Sequence, residues 1–453
     1  MSCCALLLSG CSEGPRGSAV EAVDSAQSAA LPVEVLASER EHPRGLWVLC
    51  EGSQRVLDHP EKIPELLNDA RALGVSDLFV QVYRGGKAWF NSSRADAGPY
   101  EKILLEHDQD TLAELIRQAH GQGFRVHAWV NVFSLAGNRH APILKDLGAD
   151  AVAVDRQGRS VLEYDRLELP EYPLLRMGTP AVWLDPAAPG VASWFAETFR
   201  ELIANYPELD GLHFDYIRYP DVLPFAPGSR FGVGMDFGYG KATRDRFYEE
   251  TGLRAPYRDS LGNANRWDDW RRDQLRRVII EIRAAVQDER APESGTETLT
   301  NSEQAEDGSE ASASPEEHEF LFSAAVLAYP ERAYLSMFQD WRGWLDEDLL
   351  DFAVPMLYTL DDRLLRYEAA SYSGGVGGDR VWIGLGTWLF AKNPQRALDQ
   401  IEMAHSAGSH GDALFSWDSI ADHPELRDAL ALQISEERDL AAASEDSDEH
   451  DKQ

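Results

Sequence analysis

The stretch DGLHFDYIRYP, residues 210–220, holds the residue types most suited to chemistry in this sequence. Its first half has the pattern of a buried strand, in which alternate side chains point to the same face. His213 and Asp215 therefore share one face, and Leu212 and Phe214 share the other. A strand of this kind that ends on a carboxylate is typical of the catalytic rim of a parallel-strand barrel. The alternative is an Asp that caps a strand-to-loop turn.

Cleavage of a glycosidic bond needs two carboxyl groups, one that donates a proton and one that acts as nucleophile or base. Asp215 is the stronger candidate, because Arg218 or His213 nearby could keep it ionised. The second carboxyl stays open, since a solvated loop or a helix cap explains each candidate equally well. The candidates follow predicted strands one, six and eight: Glu51, Asp361, Asp362 and Asp418.

Aromatic, amide and basic side chains also follow several predicted strands. Pyranose faces stack on aromatic rings, while sugar hydroxyls bond to amides and charged groups, so this set predicts a sugar-binding cleft. The residues predicted to bind substrate are Gln81, Arg84, His127, Trp129, Asn131, His213, Arg218, Tyr358, Trp388 and Trp417.

A metal site has weaker support. His127 and His213 lie on neighbouring predicted strands, but zinc usually needs three protein ligands, and no HxH, HExxH or third rim His is present. We therefore predict no metal and no cofactor, and interpret both His as hydrogen-bonded groups inside the barrel. Cys50, in the apolar stretch GLWVLC, is interpreted as a small buried hydrophobe.

From Arg44 onward the chain repeats a short apolar strand, a loop and an amphipathic helix. Such alternation predicts parallel strands joined by right-handed crossovers, and eight units favour a closed (β/α)8 TIM barrel. A doubly wound sheet is the alternative, but no Gly-rich phosphate loop follows the first strand. The predicted strands begin at Arg44, Asp77, Arg125, Leu209, Phe320, Phe352, Arg380 and Asp412.

The barrel domain is predicted over residues 42–433, with long rim loops after strands three and four. Residues 288–319 are acidic, rich in Ser and Ala and poor in large apolar side chains, so they are expected to form a disordered insertion before strand five. Residues 434–453 are expected to form an acidic disordered tail for the same reason.

The N-terminus predicts an envelope protein. Residues 1–10 resemble a short lipoprotein signal peptide, and LSGC resembles a lipobox with Cys11 as the lipidated residue. Residues 11–41 then have the composition of a flexible tether. We therefore expect a cell-envelope lipoprotein, anchored to a membrane through Cys11.

The net charge of −34 over 453 residues argues against some partners. Nucleic acid and anionic membrane surfaces would be repelled by such a chain, so no nucleic-acid partner is expected. The sequence does not indicate an oligomeric state.

Several motifs together resemble the bacterial glycosyl-hydrolase-like family 10. They occur in order between Pro43 and about Trp417: RGLWV, FVQVY, AELIRQAHGQGFRVHAWVNVF, WLDPAAPGV, DGLHFDYIRYP, QDWRGWL, DFAVPMLYT, IGLGTWLF and LFSWD. The resemblance implies a (β/α)8 barrel, association with the cell envelope, often as a lipoprotein, and hydrolysis of glycan strands in the cell wall.

The resemblance also implies site residues. The HFDYIRYP match implies that Asp215 is the acidic residue, and the HAWVN match implies that Trp129 and Asn131 contact sugar. The sequence departs from the family at Tyr216, where many members have a second Asp. The acidic insertion is a further departure, and it is expected on the N-terminal face of the barrel.

The predicted function is thus a glycoside hydrolase that cleaves a cell-envelope polysaccharide, with the glycan strands of peptidoglycan as the expected substrate. One alternative is a non-catalytic glycan-binding barrel that uses the same aromatic residues. Another is a metal-dependent polysaccharide deacetylase, which a chelator would inactivate.

Overall fold

The computed structural model describes residues 42–435 except 167–175, 178, 224–235, 256–260, 292–318 and 376. The predicted signal peptide, Cys11 and the tether lie outside the described residues. So do most of the predicted acidic insertion and most of the tail.

Eight parallel strands form the centre of the molecule. Each begins within two residues of its predicted start, the largest differences being Gly211 against Leu209 and Trp382 against Arg380. In chain order they are β1 Arg44–Val48, β2 Asp77–Arg84, β3 Arg125–Asn131, β4 Gly211–Asp215, β5 Leu321–Leu327, β6 Phe352–Met356, β7 Trp382–Gly386 and β8 Gly411–Phe415.

The sheet is closed. Each strand pairs in parallel with the strand before and after it, and β1 pairs with both β2 and β8. Trp47, for example, lies opposite Phe79 on one side and Phe415 on the other. A sheet without a free edge is a barrel, so the (β/α)8 prediction is confirmed and the doubly wound alternative is wrong.

Helices surround the barrel and fill the rim. The described helices are α1 Ile63–Ala72, α2 Gly98–His107, α3 Thr111–His120, α4 Pro142–Leu147, α5 Val191–Asn205, α6 Lys241–Thr251, α7 Leu261–Arg290, α8 Pro330–Ser336, α9 Trp341–Asp346, α10 Asp362–Ser373, α11 Pro394–Ser406, α12 Trp417–Ala421 and a last helix over residues 424–435. The two long rim loops carry α4 and α6. No described helix is both long enough and apolar enough to cross a membrane.

Two predicted boundaries need correction. Helix α7 continues to Arg290, so Asp288, Glu289 and Arg290 are helical and do not belong to a disordered insertion. The last helix continues to residue 435, so it includes the first two residues of the predicted tail. In both places the acidic composition predicts disorder, but the helix still continues.

Two hydrophobic layers hold the strands in place. Inside the barrel, large rings such as Trp47, Phe79, Phe352 and Trp382 pack against one another. Outside it, the opposite face of each strand packs against the amphipathic helices, as Leu78 and Val80 of β2 do. Burial on both faces explains the nearly continuous apolar sequence of the strands.

Ion pairs close the N-terminal end of the barrel. Arg44 of β1 forms a double hydrogen bond with Asp412 of β8, at 2.7 and 2.9 Å. Asp77 of β2 accepts from Arg125 and contacts His127 of β3 at 2.8 Å. Burial raises the pKa of Asp77, but the positive charge of Arg125 and the contact with His127 outweigh it and leave the pKa well below its usual value. The charged side chains at this end are therefore paired with one another. The opposite, C-terminal end of the barrel, called the mouth below, is the end where chemistry is expected.

Candidate functional site

Asp215 is the last residue of β4 and lies at the mouth. Only 6% of its surface is exposed. Its Oδ1 accepts a hydrogen bond from the backbone N–H of Tyr216 at 2.6 Å, and its Oδ2 accepts one from the indole N–H of Trp129 at 3.2 Å. Burial raises the pKa of Asp215 to about 6, although both bonds and the charge of Arg218 act in the opposite direction. A carboxyl with this pKa is protonated in a useful fraction of molecules near neutral pH, as a general acid must be.

Two residues of β3 lie beside this acid. The strand register pairs Asn131 with Asp215, and Trp129 with His213. Trp129 is only 3% exposed and donates its indole N–H to Asp215, so the structure gives it a supporting role at the acid, and its role as a sugar platform stays a prediction. Its ring is packed within the barrel, while Asn131 remains at the height of the acid.

Gln81 and Cys50 extend this polar layer toward β1. The side-chain Nε2 of Gln81 donates to Oδ1 of Asn131 at 3.2 Å, and the Cys50 thiol donates to Oε1 of Gln81, also at 3.2 Å. Gln81 is almost fully buried, so it supports Asn131 instead of meeting a sugar directly as predicted.

One side of the mouth is formed by a cation that packs against two neighbouring rings. The Arg218 guanidinium lies 5.0 Å from the centre of the Trp183 ring and 5.2 Å from that of Tyr216. It also donates to Asp221 at 3.2 Å. Trp183 and Tyr216 were missed from the sequence, although WLDPAAPGV and DYIRYP point to them. Tyr216 has a positive φ of 52°, which turns the chain sharply after Asp215.

The other side is formed by three aromatic side chains. The rings of Tyr358 and Trp388 meet edge to face with centres 4.8 Å apart, and Phe415 lies 5.7 and 5.5 Å from them. Each follows or ends a different strand, β6, β7 and β8. The structure thus brings together two of the predicted aromatic residues and adds Phe415, all partly accessible to solvent.

A third group lies after β1 and β2. Glu51 is paired with Arg84 and, at 3.3 Å, with Lys87. All three side chains are accessible to solvent. Arg84 is therefore at the rim, as predicted. Glu51 is the second-carboxyl candidate whose bonds within the described residues are only to rim cations, whereas the other three are bonded to backbone amides or to side chains of a neighbouring helix.

The other predicted carboxyls have structural roles. Asp361 caps α10 by accepting from the backbone N–H groups of Arg363 and Leu364. Asp362 accepts from Arg396 on α11 at 2.6 Å. Asp418, which is buried, accepts from the backbone N–H groups of Leu49 and Gln54 and so holds the loop after β1. The proposed catalytic roles of Asp361, Asp362 and Asp418 are not supported, because capping and cross-links account for their bonds.

Both histidines and Trp417 also need correction. His127 and His213 are fully buried inside the barrel, below the level of Asp215, so the structure does not support contact with substrate. His213 accepts from the Trp47 indole at 3.1 Å and bonds to Ser323 at 2.8 Å, and burial lowers its pKa well below the usual value. It is neutral and does not keep Asp215 ionised. Trp417 is completely buried, and its indole donates to Asp69 of α1.

The described residues hold no group of three or more His, Cys, Asp or Glu side chains arranged for a metal ion. The metal-dependent deacetylase therefore has no set of ligands within the described part of the chain, and the effect of a chelator stays a prediction.

A closed barrel with a buried, proton-bearing carboxyl among aromatic side chains at its mouth is the arrangement of the (β/α)8 glycoside hydrolases. The glycosyl hydrolase-like 10 family matches residues 42–368, most of the chain. The protein belongs to this family, which confirms the resemblance seen in the motifs, and its class of enzyme is that of a glycosidase.

Individual relatives agree with this assignment. The chain is 23% identical over 381 residues to glycosyl hydrolase DigH of Escherichia coli strain K12, covering 78% of this chain and 73% of the relative. It is 21% identical over 323 residues to glycosyl hydrolase YngK of Bacillus subtilis, covering 70% and 52%.

Among solved structures, the glycoside hydrolase domain of PgaB (BpsB) from Bordetella bronchiseptica superposes with a TM-score of 0.56. Its sequence is 16% identical, and the match covers 86% of this chain and 98% of that domain. At this identity the likeness supports the barrel fold and no finer detail.

Proposed function

We propose that this protein hydrolyses the glycan strands of peptidoglycan, with Asp215 as the acid that protonates the glycosidic oxygen. The observation that carries the proposal is the environment of Asp215: a buried carboxyl at the end of a barrel strand, with a pKa of about 6. A carboxyl with the usual pKa would have almost no proton to give at neutral pH.

The steps follow from this group. The Asp215 O–H transfers its proton to the oxygen of the leaving sugar while the bond from that oxygen to the anomeric carbon breaks. The electron pair of the broken bond stays with the oxygen, so the leaving sugar departs as an alcohol. The anomeric carbon then takes either a carboxylate oxygen or a water molecule that a carboxylate has deprotonated.

Glu51 is our candidate for that carboxylate. It lies at the rim in ion pairs with Arg84 and Lys87, and a carboxylate is the kind of group that can act as nucleophile or base. Of the four partners considered, Asp361, Asp362 and Asp418 are occupied by helix capping, by a link between helices and by backbone amides.

Sugar binding is assigned to the two sides of the mouth. The rings of Tyr358, Trp388 and Phe415 offer apolar surface for pyranose faces, and Arg218 and Asn131 offer donors for sugar oxygens. The choice of peptidoglycan is supported by the family motifs, since wall-glycan hydrolysis is what the family resemblance implies.

The lipobox supports a position in the cell envelope, where such strands are found. We propose that Cys11 carries a lipid that anchors the protein to a membrane. Incorporation of labelled palmitate into the wild type, and its loss in Cys11→Ala, would test this. Labelling that persists in Cys11→Ala would contradict it.

The central experiment measures release of reducing ends from purified peptidoglycan glycan strands. We expect Asp215→Asn to lower kcat by roughly 10²–10⁴-fold, because the amide has no acidic proton to donate, and to leave strand binding largely intact. Asp361→Asn is the matched control: it also removes a carboxylate after a barrel strand, but Asn remains a good helix cap, so kcat should not change.

The other outcomes are separable. A wild type that binds strands without releasing reducing ends would contradict the hydrolytic proposal and support a glycan-binding barrel. Release of acetate that EDTA abolishes would support a deacetylase. Equal kcat for Asp215→Asn and the wild type would contradict the role given to Asp215.

A further inference from the structure

Three side chains at the ends of adjacent strands form a hydrogen-bonded chain below the mouth. Cys50 follows β1, Gln81 is in β2, and Asn131 ends β3. Their surfaces are 1, 2 and 5% exposed. The two links, from Cys50 to Gln81 and from Gln81 to Asn131, both measure 3.2 Å.

The chemistry of the thiol gives this chain a direction. A thiol sulfur accepts hydrogen bonds weakly, so the stronger arrangement is the one in which its proton is donated. Burial raises the pKa of Cys50 well above its usual value, which keeps that proton in place. Because the thiol donates to Oε1 of Gln81, the Nε2 of Gln81 must point the other way, toward Oδ1 of Asn131.

The same logic orients Asn131. With its Oδ1 engaged by Gln81, its Nδ2 is on the opposite side of the amide, and Asn131 lies beside Asp215 in the strand register. No described residue accepts a hydrogen bond from this Nδ2. An amide N–H₂ at the height of the acid is suited to an oxygen of the sugar bound there.

We infer that Cys50 and Gln81 are positioning residues that hold the Asn131 amide in one orientation, with its N–H₂ presented to an oxygen of the sugar next to Asp215. The inference rests on the proposed glycan substrate. It assigns a function to a cysteine whose sequence context indicates only a small buried hydrophobe.

The alternative is that Cys50 only fills space, and two substitutions separate the ideas. Cys50→Ser keeps the O–H donor but is smaller and more polar. Cys50→Val is apolar and slightly larger than cysteine, and it has no donor. If the hydrogen bonds from Cys50 through Gln81 orient Asn131, Cys50→Ser should have a KM for glycan strands within about threefold of the wild type.

Cys50→Val should raise KM about tenfold with a smaller change in kcat, because one hydrogen bond of orientation at a buried amide contributes about 1.4 kcal/mol. The reverse order, with Cys50→Val close to the wild type and Cys50→Ser impaired, would overturn the inference. Equal KM values for both would overturn it too. Asn131→Ala is expected to reach at least the effect of Cys50→Val.

A second measurement does not depend on substrate. In the full chain with Cys3, Cys4 and Cys11 replaced by serine, Cys50 is the remaining thiol, and the Raman S–H stretching band reports its hydrogen bond. We expect a band at lower frequency than that of a free thiol, and a shift to higher frequency in Gln81→Leu. A band that Gln81→Leu leaves in place would contradict the donor role.

The two measurements distinguish failure of the inference from failure of the proposed function. A wild type that neither cleaves nor binds glycan strands would contradict the proposed substrate, and also the inference that rests on it. In a second case the wild type cleaves strands while the KM order of Cys50→Ser and Cys50→Val is reversed, or while Gln81→Leu leaves the Raman band unchanged. Either result would contradict only the proposed orientation of Asn131.

Discussion

Two polar layers occupy the same barrel interior and behave differently. The lower one contains His127 and His213, and the upper one contains Asn131 and Asp215. His213 and Asp215 are two residues apart on one face of β4, yet His213 is bonded to Trp47 and Ser323 within a fully buried ring stack. Asp215 is held by two donors and remains at the edge of the cleft.

The position of an inward-facing polar group along the barrel axis therefore decides its role. In the lower layer the neighbouring strands supply partners for the imidazole, so its polar atoms contribute to stability. In the upper layer the strands end, so the carboxyl of Asp215 and the amide of Asn131 keep hydrogen-bonding atoms that a substrate can contact. The predictions below test this distinction, beginning with the largest effect.

The pH dependence of kcat/KM should report the acid of the upper layer. With a pKa of about 6 for Asp215, the protonated fraction is about one half at pH 6 and about one hundredth at pH 8. We therefore expect kcat/KM to fall about 50-fold between pH 6 and pH 8, if Asp215 acts as the general acid. Initial rates on glycan strands in buffers of constant ionic strength measure this. A rate that rises over the same interval would mean that Asp215 works as its ionised form.

The lower layer should respond in stability and not in turnover. His213→Leu removes the acceptor of the Trp47 indole and the bond to Ser323, so it should lower the free energy of unfolding by about 2–4 kcal/mol. Denaturant unfolding measures this loss, and kcat at a temperature where the variant is folded should stay within about threefold of the wild type.

Ser323→Ala is the matched control for His213→Leu, since it removes one of the two bonds and should cost about 1 kcal/mol. A large fall in kcat for the folded His213→Leu protein would show that the lower layer also takes part in the reaction.

Two tryptophans that follow neighbouring strands also differ in burial, and this difference predicts different effects on binding and on stability. Trp388 is partly exposed against Tyr358, and Trp417 is buried against α1 with its indole bonded to Asp69. Trp388→Ala should raise KM about tenfold, since loss of one stacking surface costs about 1–2 kcal/mol. Trp417→Ala should instead lower the free energy of unfolding by about 3–5 kcal/mol. Kinetics and thermal unfolding of both variants check this, and an exchange of the two effects would contradict the assignment.

The fold was predictable because its signals are local. Strands buried on both faces need nearly continuous apolar sequence, and the helices between them need a 3.6-residue period, so each unit could be recognised separately. The closing pairing of β1 with β8 involves residues more than 360 positions apart, as in the bond between Arg44 and Asp412. It followed only from counting eight units.

The site was only partly predictable. The sequence places Asp215, Asn131, Tyr358 and Trp388 at the mouth because they end or follow strands, and their roles toward a sugar stay predictions. Trp417 was predicted to bind sugar because it stands at the end of predicted strand eight. The strand in fact stops at Phe415 and a helix starts at Trp417, so its side chain is buried, with its indole bonded to Asp69 of α1. The aromatic residue at the mouth is Phe415 instead.

The carboxyls show the same limit. The sequence places Asp361, Asp362, Asp418 and Glu51 after strands, but whether such a group is available depends on which donors come near it in space. Three of them meet backbone amides or an arginine of another element, and Glu51 meets two rim cations.

The sequence by itself determined the closed barrel, the family and the strand that carries the acid, because periodicity and motif order are properties of neighbouring residues. The tertiary structure was needed to see that burial raises the pKa of Asp215 to about 6, that burial lowers the pKa of His213, and that Cys50 is bonded toward Asn131 through Gln81. Burial and hydrogen-bond partners set these properties, and both come from residues far apart in the chain.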